Sequence, residues 1–375
     1  MVSVKDFTPY GFDFDNCRQI SANDYEKLKK SGCIPQYEDI LIGKDGARYF
    51  EDIVVYRQTE QPALLSSIAI LRCNTNELLP DYLYYMMINP AFKQNVRDNY
   101  GSGSAIPRII LKDFKRMPIS YPSIKVQQRI ISILRGIDAK IELNSKINAN
   151  LQQQAQAIFK SWFVDFAPFQ AGEFVESELG PIPKGWRVGR LADVCSYGKD
   201  KITVSELTPE NYFSTENMLA NKGGYTSAAS LPNVLQTTRC VPGDTLISNI
   251  RPYFKKIVYC TMKAGCSTDV LCLRPKHSKY NTYLYNLAYS DAFFDYMVAG
   301  SKGTKMPRGD KQQIMSYSFM LPPDEVIEKF HEFADAVLKK IWVASEENKK
   351  LTGLRDSLLP KLMSGELSLN EEVGS

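Results

Sequence analysis

Residues 124–166 read IKVQQRIISILRGIDAKIELNSKINANLQQQAQAIFKSWFVDF, and the spacing of their apolar side chains decides the architecture. From Ile130, the positions Leu134, Ile137, Ile141, Asn144, Asn148, Leu151, Ala155, Ile158 and Trp162 follow alternating steps of four and three. A stripe with a 3.5-residue period is the signature of helices wound along a common seam. The frame returns with 200 added to each number, at Phe330, Ala334, Val337, Ile341, Ala344, Asn348, Leu351, Arg355, Leu358 and Leu362. Pro122 and Pro322-Pro323 sit just ahead of the two stretches, where a helix starts but does not continue backwards. No further proline follows in either stretch until Pro360. About 40 residues at roughly 1.5 Å each make a rod of about 60 Å. A lone amphipathic helix packs on its own domain, whereas two matched seams of equal length pack on each other. The spacing therefore predicts helices over 124–166 and 324–363, antiparallel because each leaves its own domain and must reach the other. Asn144, Asn148 and Asn348 lie in the seam. Polar groups there either fix the register or are tolerated where solvent reaches.

Outward from the helices the chain repeats. Val2-Ser3-Val4-Lys5-Asp6-Phe7-Thr8-Pro9 matches Ile202-Thr203-Val204-Ser205-Glu206-Leu207-Thr208-Pro209, and Tyr82-Leu83-Tyr84-Tyr85 matches Tyr283-Leu284-Tyr285-Asn286. Gly101-Ser102 and Pro107-Arg108 match Gly300-Ser301 and Pro307-Arg308. A period this long is a domain, not a solenoid unit. Each copy mixes short strand-like runs (53–56, 67–71, 245–248, 256–259) with stretches that read as helices (81–99, 282–299). The expected fold class is mixed α/β (α+β): two pseudo-repeated globular domains joined by a long antiparallel two-helix coiled coil. The boundaries follow: a first domain over 1–123, a central helix over 124–166, a Gly/Pro-rich linker and second domain over 167–323, a second helix over 324–363 and a tail over 364–375.

Composition excludes several classes. Hydrophobic residues make up 44% and charged residues 23%, the balance of an ordinary soluble globular chain. No run of about 18 unbroken apolar residues is present, and the start has no apolar signal core, so the expectation is a cytoplasmic protein without a membrane span. None of the eight cysteines pairs at C-x-x-C spacing and only two histidines occur, which argues for reduced thiols and against metal. A net charge of +4 is compatible with nucleic acid only if the positive charge is local.

The chain resembles the specificity subunits of Type I restriction–modification systems. The strings that carry the likeness are Trp162-Phe163-Val164-Asp165-Phe166 with Pro168-Phe169, then Ser177-Glu178-Leu179-Gly180, Pro181-Ile182-Pro183 and Gly185-Trp186, and at the end Leu354-Arg355-Asp356-Ser357-Leu358-Leu359-Pro360-Lys361-Leu362-Met363-Ser364-Gly365-Glu366-Leu367. The resemblance implies a non-catalytic, DNA-reading subunit in which each variable domain reads one half of a bipartite double-stranded target. The helices would then dock two modification (methyltransferase) subunits, with restriction subunits joining the full complex, and no cofactor of its own is implied. Two departures stand out. The first domain has no counterpart of 178–201, so either its start is shortened or its fold is completed from elsewhere in the chain. The family's Pro-x-x-Glu-Gln string at the helix start is replaced by Pro122-Ser123-Ile124-Lys125-Val126-Gln127-Gln128 and Pro322-Pro323-Asp324-Glu325-Val326-Ile327-Glu328.

Candidate DNA contacts are basic and aromatic residues in loops: Lys44, Arg48, Tyr49, Ser102, Ser104 and Arg108 in the first domain, and Tyr197, Lys199, Lys201, Arg251, Tyr253, Lys255, Lys256, Lys302, Lys305 and Arg308 in the second. Arginine and lysine suit phosphates and guanine edges, and Gly-Ser loops offer amides and hydroxyls to the backbone. For each, the plainer reading is a solvated surface. One string imitates catalysis: Asn89-Pro90-Ala91-Phe92 resembles the Asn-Pro-Pro-Tyr/Phe motif of adenine methyltransferases. Its repeat partner, Ser290-Asp291-Ala292-Phe293, keeps only Ala-Phe, and no glycine-rich cofactor turn precedes it, so a methyltransferase is disfavoured. A coiled-coil adaptor without DNA contact is the alternative function. On the helices, Gln152, Gln153 and Gln156 read as outward polar positions for docking.

Overall fold

The computed structural model describes residues 1–15, 17–46, 48–101 and 107–367. It is a mixed α/β protein with two long helices, a central one at Ile124–Phe163 and a second at Asp324–Ser364. No position of either predicted stripe is exposed. The central helix stops three residues short of the expected end. The Lys160 carbonyl accepts from both Val164 N and Asp165 N at 2.9 Å, and Phe166 turns left-handed with φ 54° ahead of Pro168. The second helix runs through Pro360 to Ser364 and ends at Gly365, whose φ is 76°. The chain divides into two compact units, Met1–Leu143 with Glu347–Ser375, and Asn144–Glu346, so each long helix contributes to both.

In the first unit, β1 (Ile40–Gly43) lies between β2 (Ile53–Val55) and β3 (Ile68–Leu71), antiparallel to both. The stretch expected as one helix is two, α1 (Pro80–Ile88) and α2 (Pro90–Tyr100). The break has a local cause: Pro90 has no N–H for the ladder, and Asn89 adopts ψ 126°. Ile130 and Leu134 of the central helix join the buried cluster of this sheet, and so do Leu359 and Leu362 of the second helix. Residues from the end of the described chain thus complete the first core. The two helix segments here run antiparallel. Asn348 Nδ2 donates to the Ile141 carbonyl at 3.2 Å, and further along Arg355 Nη1 donates to Asp138 Oδ1 at 3.0 Å. Asp138 also accepts the Tyr85 hydroxyl at 2.7 Å, and burial, then that carboxylate, push the phenol's pKa far up. Gln127, where the family string departs, is fully buried. Its Oε1 accepts Leu79 N at 2.9 Å, and its Nε2 donates to the Glu77 and Pro122 carbonyls at 2.8 and 2.9 Å. It stitches the start of the central helix to the start of α1.

The second unit contains β4 (Arg187–Arg190), β5 (Cys195–Tyr197), β6 (Lys201–Thr203), β7 (Tyr212–Phe213), β8 (Gln236–Cys240), β9 (Thr245–Ser248), β10 (Ile257–Tyr259), β11 (Ala264–Cys266), β12 (Val270–Pro275) and β13 (Ser318–Leu321). One antiparallel sheet has the order β10-β9-β12-β5; a second has the order β6-β8-β11-β7, with β7 parallel to β11. β4 pairs with β13. The stretch expected as one helix again divides, into α3 (Tyr280–Tyr289) and α4 (Asp291–Ala299), at Ser290 with ψ 149°. Aromatic rings dominate where the long helices enter this core: Phe163 lies 5.0 Å from Phe330 and 4.9 Å from Tyr283 between centroids, both edge-on. The helix segments here also run antiparallel. Asn148 Nδ2 donates to Ser345 Oγ at 3.0 Å and to the Ile341 carbonyl at 3.3 Å. Asn148 and Asn348 therefore bond across the helix pair, each to the backbone of the other helix, which is the register-fixing reading of seam asparagines.

A buried ion pair closes each main sheet. Asp39, 1% exposed just ahead of β1, accepts Arg72 Nε at 2.7 Å and Nη2 at 2.8 Å, and also Gln36 N at 2.6 Å. Asp244, 1% exposed just ahead of β9, accepts Arg274 Nε at 3.0 Å and Nη2 at 2.9 Å, and also Val241 N at 2.8 Å. A two-pronged guanidinium satisfies a carboxylate that water does not reach. Arg274→Ala strands the Asp244 charge and is expected to cost about 3–5 kcal/mol. Arg72 is half exposed, so Arg72→Ala, which lets water in, is expected to cost only about 1.5–3 kcal/mol. Urea midpoints of the two variants check this; equal losses would contradict it.

Candidate nucleic-acid interface

Two turns of like geometry follow β1 in the first unit and β9 in the second, each a strand flanked on both sides in its sheet. In the second unit the turn after β9 has left-handed residues at both ends, Arg251 and Lys255, each with φ 50°. Phe254 N donates to the Arg251 carbonyl at 2.9 Å. Arg251 N donates to the Pro307 carbonyl at 2.7 Å and Gly309 N to the Asn249 carbonyl at 3.2 Å, which lays the 302–309 loop against the turn. In the first unit the ends are Gly46, φ 95°, and Phe50, φ 63°. Tyr49 N donates to the Gly46 carbonyl at 3.0 Å, Gly46 N to Pro107 at 2.9 Å and Ile109 N to Lys44 at 2.9 Å. The hydrogen bonds come in the same order. A left-handed residue other than glycine costs about 1–3 kcal/mol and persists only where its surroundings hold it.

The side chains fall into distinct settings. Tyr253 is 48% exposed and Phe254 38%, their ring centroids 4.8 Å apart. Lys255 Nζ and Lys222 Nζ donate to Asp291 Oδ1 at 2.7 and 2.9 Å, which holds the Asp291 carboxyl down to about 2. Lys302 pairs with Asp310 at 2.6 Å and Arg308 with Asp269 at 3.2 Å. Arg251 Nη2 donates to the Lys305 carbonyl at 3.3 Å, Lys256 Nζ donates to the Thr215 carbonyl at 2.5 Å, and burial lowers the Lys256 pKa. In the first unit, Lys44 pairs with Asp45 at 3.2 Å and Arg48 with Asp52 at 2.8 Å, while Arg108 bridges to Asp45 through its backbone. Tyr49 packs against Gly101, where a Cβ would meet its hydroxyl at 2.7 Å. Ser102 and Ser104 lie outside the described residues. Tyr197, at the end of β5, donates its hydroxyl to the Lys311 carbonyl at 3.0 Å, and burial raises its pKa; Lys199, between β5 and β6, and Lys201, the first residue of β6, are exposed. The structure thus gathers Arg251, Tyr253, Lys255, Lys256, Lys302, Lys305 and Arg308 on two adjoining loops, and Lys44, Arg48, Tyr49 and Arg108 on two others.

Sequence reading missed three residues here. Asn221 and Lys222 are also left-handed, φ 54° and 60°, and their N–H groups donate to the Phe254 and Lys255 carbonyls at 2.8 Å each. Asn249 is buried with its Oδ1 unpartnered. Gly223-Gly224 directly after Asn221-Lys222 is a turn signal that sequence reading passed over, whereas nothing in the sequence marks Asn249.

Asn89 has a structural task. Its Oδ1 accepts Ala91 N at 2.9 Å and caps α2, as Ser290 Oγ accepts Phe293 N at 3.3 Å and caps α4. Phe92 packs 6.2 Å from Phe50 between centroids. Among the described residues no group of three or more His, Cys, Asp or Glu is placed to hold a metal ion, and no helix is long and apolar enough to cross a membrane. The cysteines are free thiols. On the long helices, one expectation needs correcting: Gln156 does not face outward, because its Nε2 donates to Asn286 Oδ1 at 2.7 Å, and the Gln152 Nε2 is buried. Gln153 is exposed as expected, and exposed apolar residues sit among the polar ones: Leu143, Ile147, Trp342 and Val343. Asn89→Ala is expected to cost about 1 kcal/mol of stability through the lost cap, Asn89→Ser much less. Neither should alter methyl transfer by an assembly that contains the chain; loss of transfer with folding intact would restore the catalytic reading.

Comparison with known proteins bears directly on this arrangement. The profile of the Type I restriction modification DNA specificity domain matches twice, over residues 11–153 and 183–352. The chain belongs to that family, whose members recognise DNA sequence and are the non-catalytic subunits of their complexes. It is 29% identical to the Type I restriction enzyme MjaIX specificity subunit of Methanocaldococcus jannaschii, over 78% of this chain and 70% of that one. It is 23% identical to the HindI specificity subunit of Haemophilus influenzae, over 95% and 90%. Its fold is similar to the crystal structure of a Type I restriction–modification S subunit from M. genitalium, with a TM-score of 0.52 and 15% identity, over 96% of this chain and 91% of that one.

Proposed function

We propose that the chain is the sequence-reading subunit of a Type I modification and restriction assembly, with one target-recognition domain in 1–123 and another in 167–323, each reading half of a bipartite duplex target. The observation that carries this is the duplication of one turn, with the same left-handed ends and the same ladder to a following Pro-x-x loop, in both units. A pair of like surfaces on one chain suits a split target read by two like modules. The contacts sort into phosphate anchors that position and side chains that specify, and the Lys- and Arg-bearing loops 44–49, 107–108, 251–256 and 302–308 supply both kinds. The two long helices act as an antiparallel coiled-coil spacer between the modules and as the dock for two modification subunits; restriction subunits join the complete complex. The chain brings no cofactor and works in the cytoplasm.

If the helices are a spacer, its length sets the gap between half-sites. Four residues inserted after Asn148 add about 6 Å to one helix. That is close to two base-pair steps at about 3.4 Å each. The insertion is expected to widen the unread gap by one or two base pairs and leave both half-sites unchanged, as read by sequencing methylated genomic DNA. A change of base identity, or a gap that does not move, would refute the spacer. Replacing 180–321 with the corresponding segment of a relative should change one half-site only.

Docking is tested separately. Leu143 and Val343 hold equivalent positions in the repeat and are 52% and 58% exposed. Burying such a side chain is worth about 1.5–3 kcal/mol. Leu143→Glu and Val343→Glu are each expected to weaken capture of modification subunits by about tenfold or more, measured by titration, with the methylated motif unaltered. Undiminished capture places the dock elsewhere, and a chain that binds partners but no DNA would favour the adaptor alternative.

A further inference from the structure

The polar residues around the Arg251–Lys255 turn divide into two groups. Lys222, Lys255, Lys302 and Arg308 are each already neutralised by a carboxylate, and their pairs tie the surrounding loops together. Arg251, Lys256 and Lys305 have no carboxylate partner among the described residues; Arg251 leaves its buried Nε without any hydrogen bond, and Lys256 donates only to a backbone carbonyl. Between these cations the turn holds out two aromatic rings, Tyr253 and Phe254, the former nearly half exposed. Tyrosine, with an apolar ring and a polar hydroxyl, is a side chain enriched at contact interfaces. The turn is also rigid. Four left-handed residues, Asn221, Lys222, Arg251 and Lys255, are locked to one another and to the 302–309 loop by backbone hydrogen bonds. A rigid platform fixes its side chains before binding and loses little entropy on contact.

From this we propose that the turn is the base-reading element of the second unit and that Tyr253 is its specificity-determining residue. The ligand is a DNA duplex. The Tyr253 ring, backed by Phe254, lies against base edges in a groove, where an aromatic face suits a thymine methyl and the hydroxyl suits a purine acceptor. Arg251, Lys256 and Lys305 take the flanking phosphates. The four neutralised cations serve the platform and touch no base. The proposal rests on the DNA-reading function given above.

The test selects duplexes from a randomised library with the full chain assembled with its modification subunits. Wild type should enrich a split motif; enrichment of no motif would overturn the DNA-reading function itself, and with it this proposal. Tyr253→Ala should lose base preference at one half-site by tenfold or more, with the other half unchanged. Tyr253→Arg should replace the preferred base at one position of that same half-site by guanine, the base an arginine grips through two hydrogen bonds. A misfolded domain does not produce a new preference, so this variant separates reading from folding. A motif unchanged by Tyr253→Ala and Tyr253→Arg, or weakened alike in both halves, would overturn the proposal while leaving the DNA-reading function standing.

Discussion

Each core is closed by helix turns drawn from distant parts of the chain, and the rest of the molecule follows from that. Ile130 and Leu134 are buried in the same cluster as Leu359 and Leu362; Phe159 and Phe163 are buried in the same cluster as Phe330 and Ala334. Neither long helix has a stripe that its own neighbourhood can cover completely, so each must lend one end to each unit. The antiparallel sense in both units is a result of that exchange. The cross-helix bonds of Asn148 and Asn348 then select a single register from the several that an apolar stripe alone would tolerate.

Around that frame, charge is spent mostly on construction. The carboxylates that meet the candidate loops, Asp45, Asp52, Asp269, Asp291 and Asp310, brace a loop internally or tie it to a neighbour. Exposed pairs of this kind add little stability. Their value is positional: Asp291, held ionised by Lys222 and Lys255, ties the 221–222 segment and the 251–255 turn to the start of α4. A sequence whose net charge is only +4 can therefore present a local, uncompensated positive edge, because so many of its cations are already neutralised nearby.

The long helices were legible because a 3.5-residue period is a one-dimensional signal, and the repeat was legible because the two copies keep the same short strings. The breaks at Asn89 and Ser290 were not. Pro90 hints at the first, but nothing in Ser290-Asp291 distinguishes a cap that starts a new helix from a serine inside one. The Asp39–Arg72 and Asp244–Arg274 pairs join residues far apart in sequence, and no spacing rule connects them. The left-handed turn was hidden for a different reason. Its ends in the second unit are Arg251 and Lys255, which ordinarily avoid that conformation, and only the first unit's Gly46 offers a clue. The loop residues were named as candidates by type, while their sorting into scaffold and free cations depends on carboxylates contributed by other loops. Gln127 illustrates the limit most plainly: a glutamine near the start of an exposed-looking helix is fully buried, because three backbone groups await it.

The first unit is discontinuous in sequence while the second is continuous from Asn144 to Glu346. On a ribosome, the amino-terminal sheet emerges early yet cannot finish its core until Leu359 and Leu362 have been made. Bringing Ile130 to those residues through an unfolded chain would close a very long loop, and closure entropy rises with loop length. The Asn148–Ser345 hydrogen bond changes the problem. Once the second unit has folded, the two chain segments that lead into the first are already held side by side, and what remains is the short closure of a helical hairpin. The unit begun first on the ribosome is thus the one whose core residues are completed last.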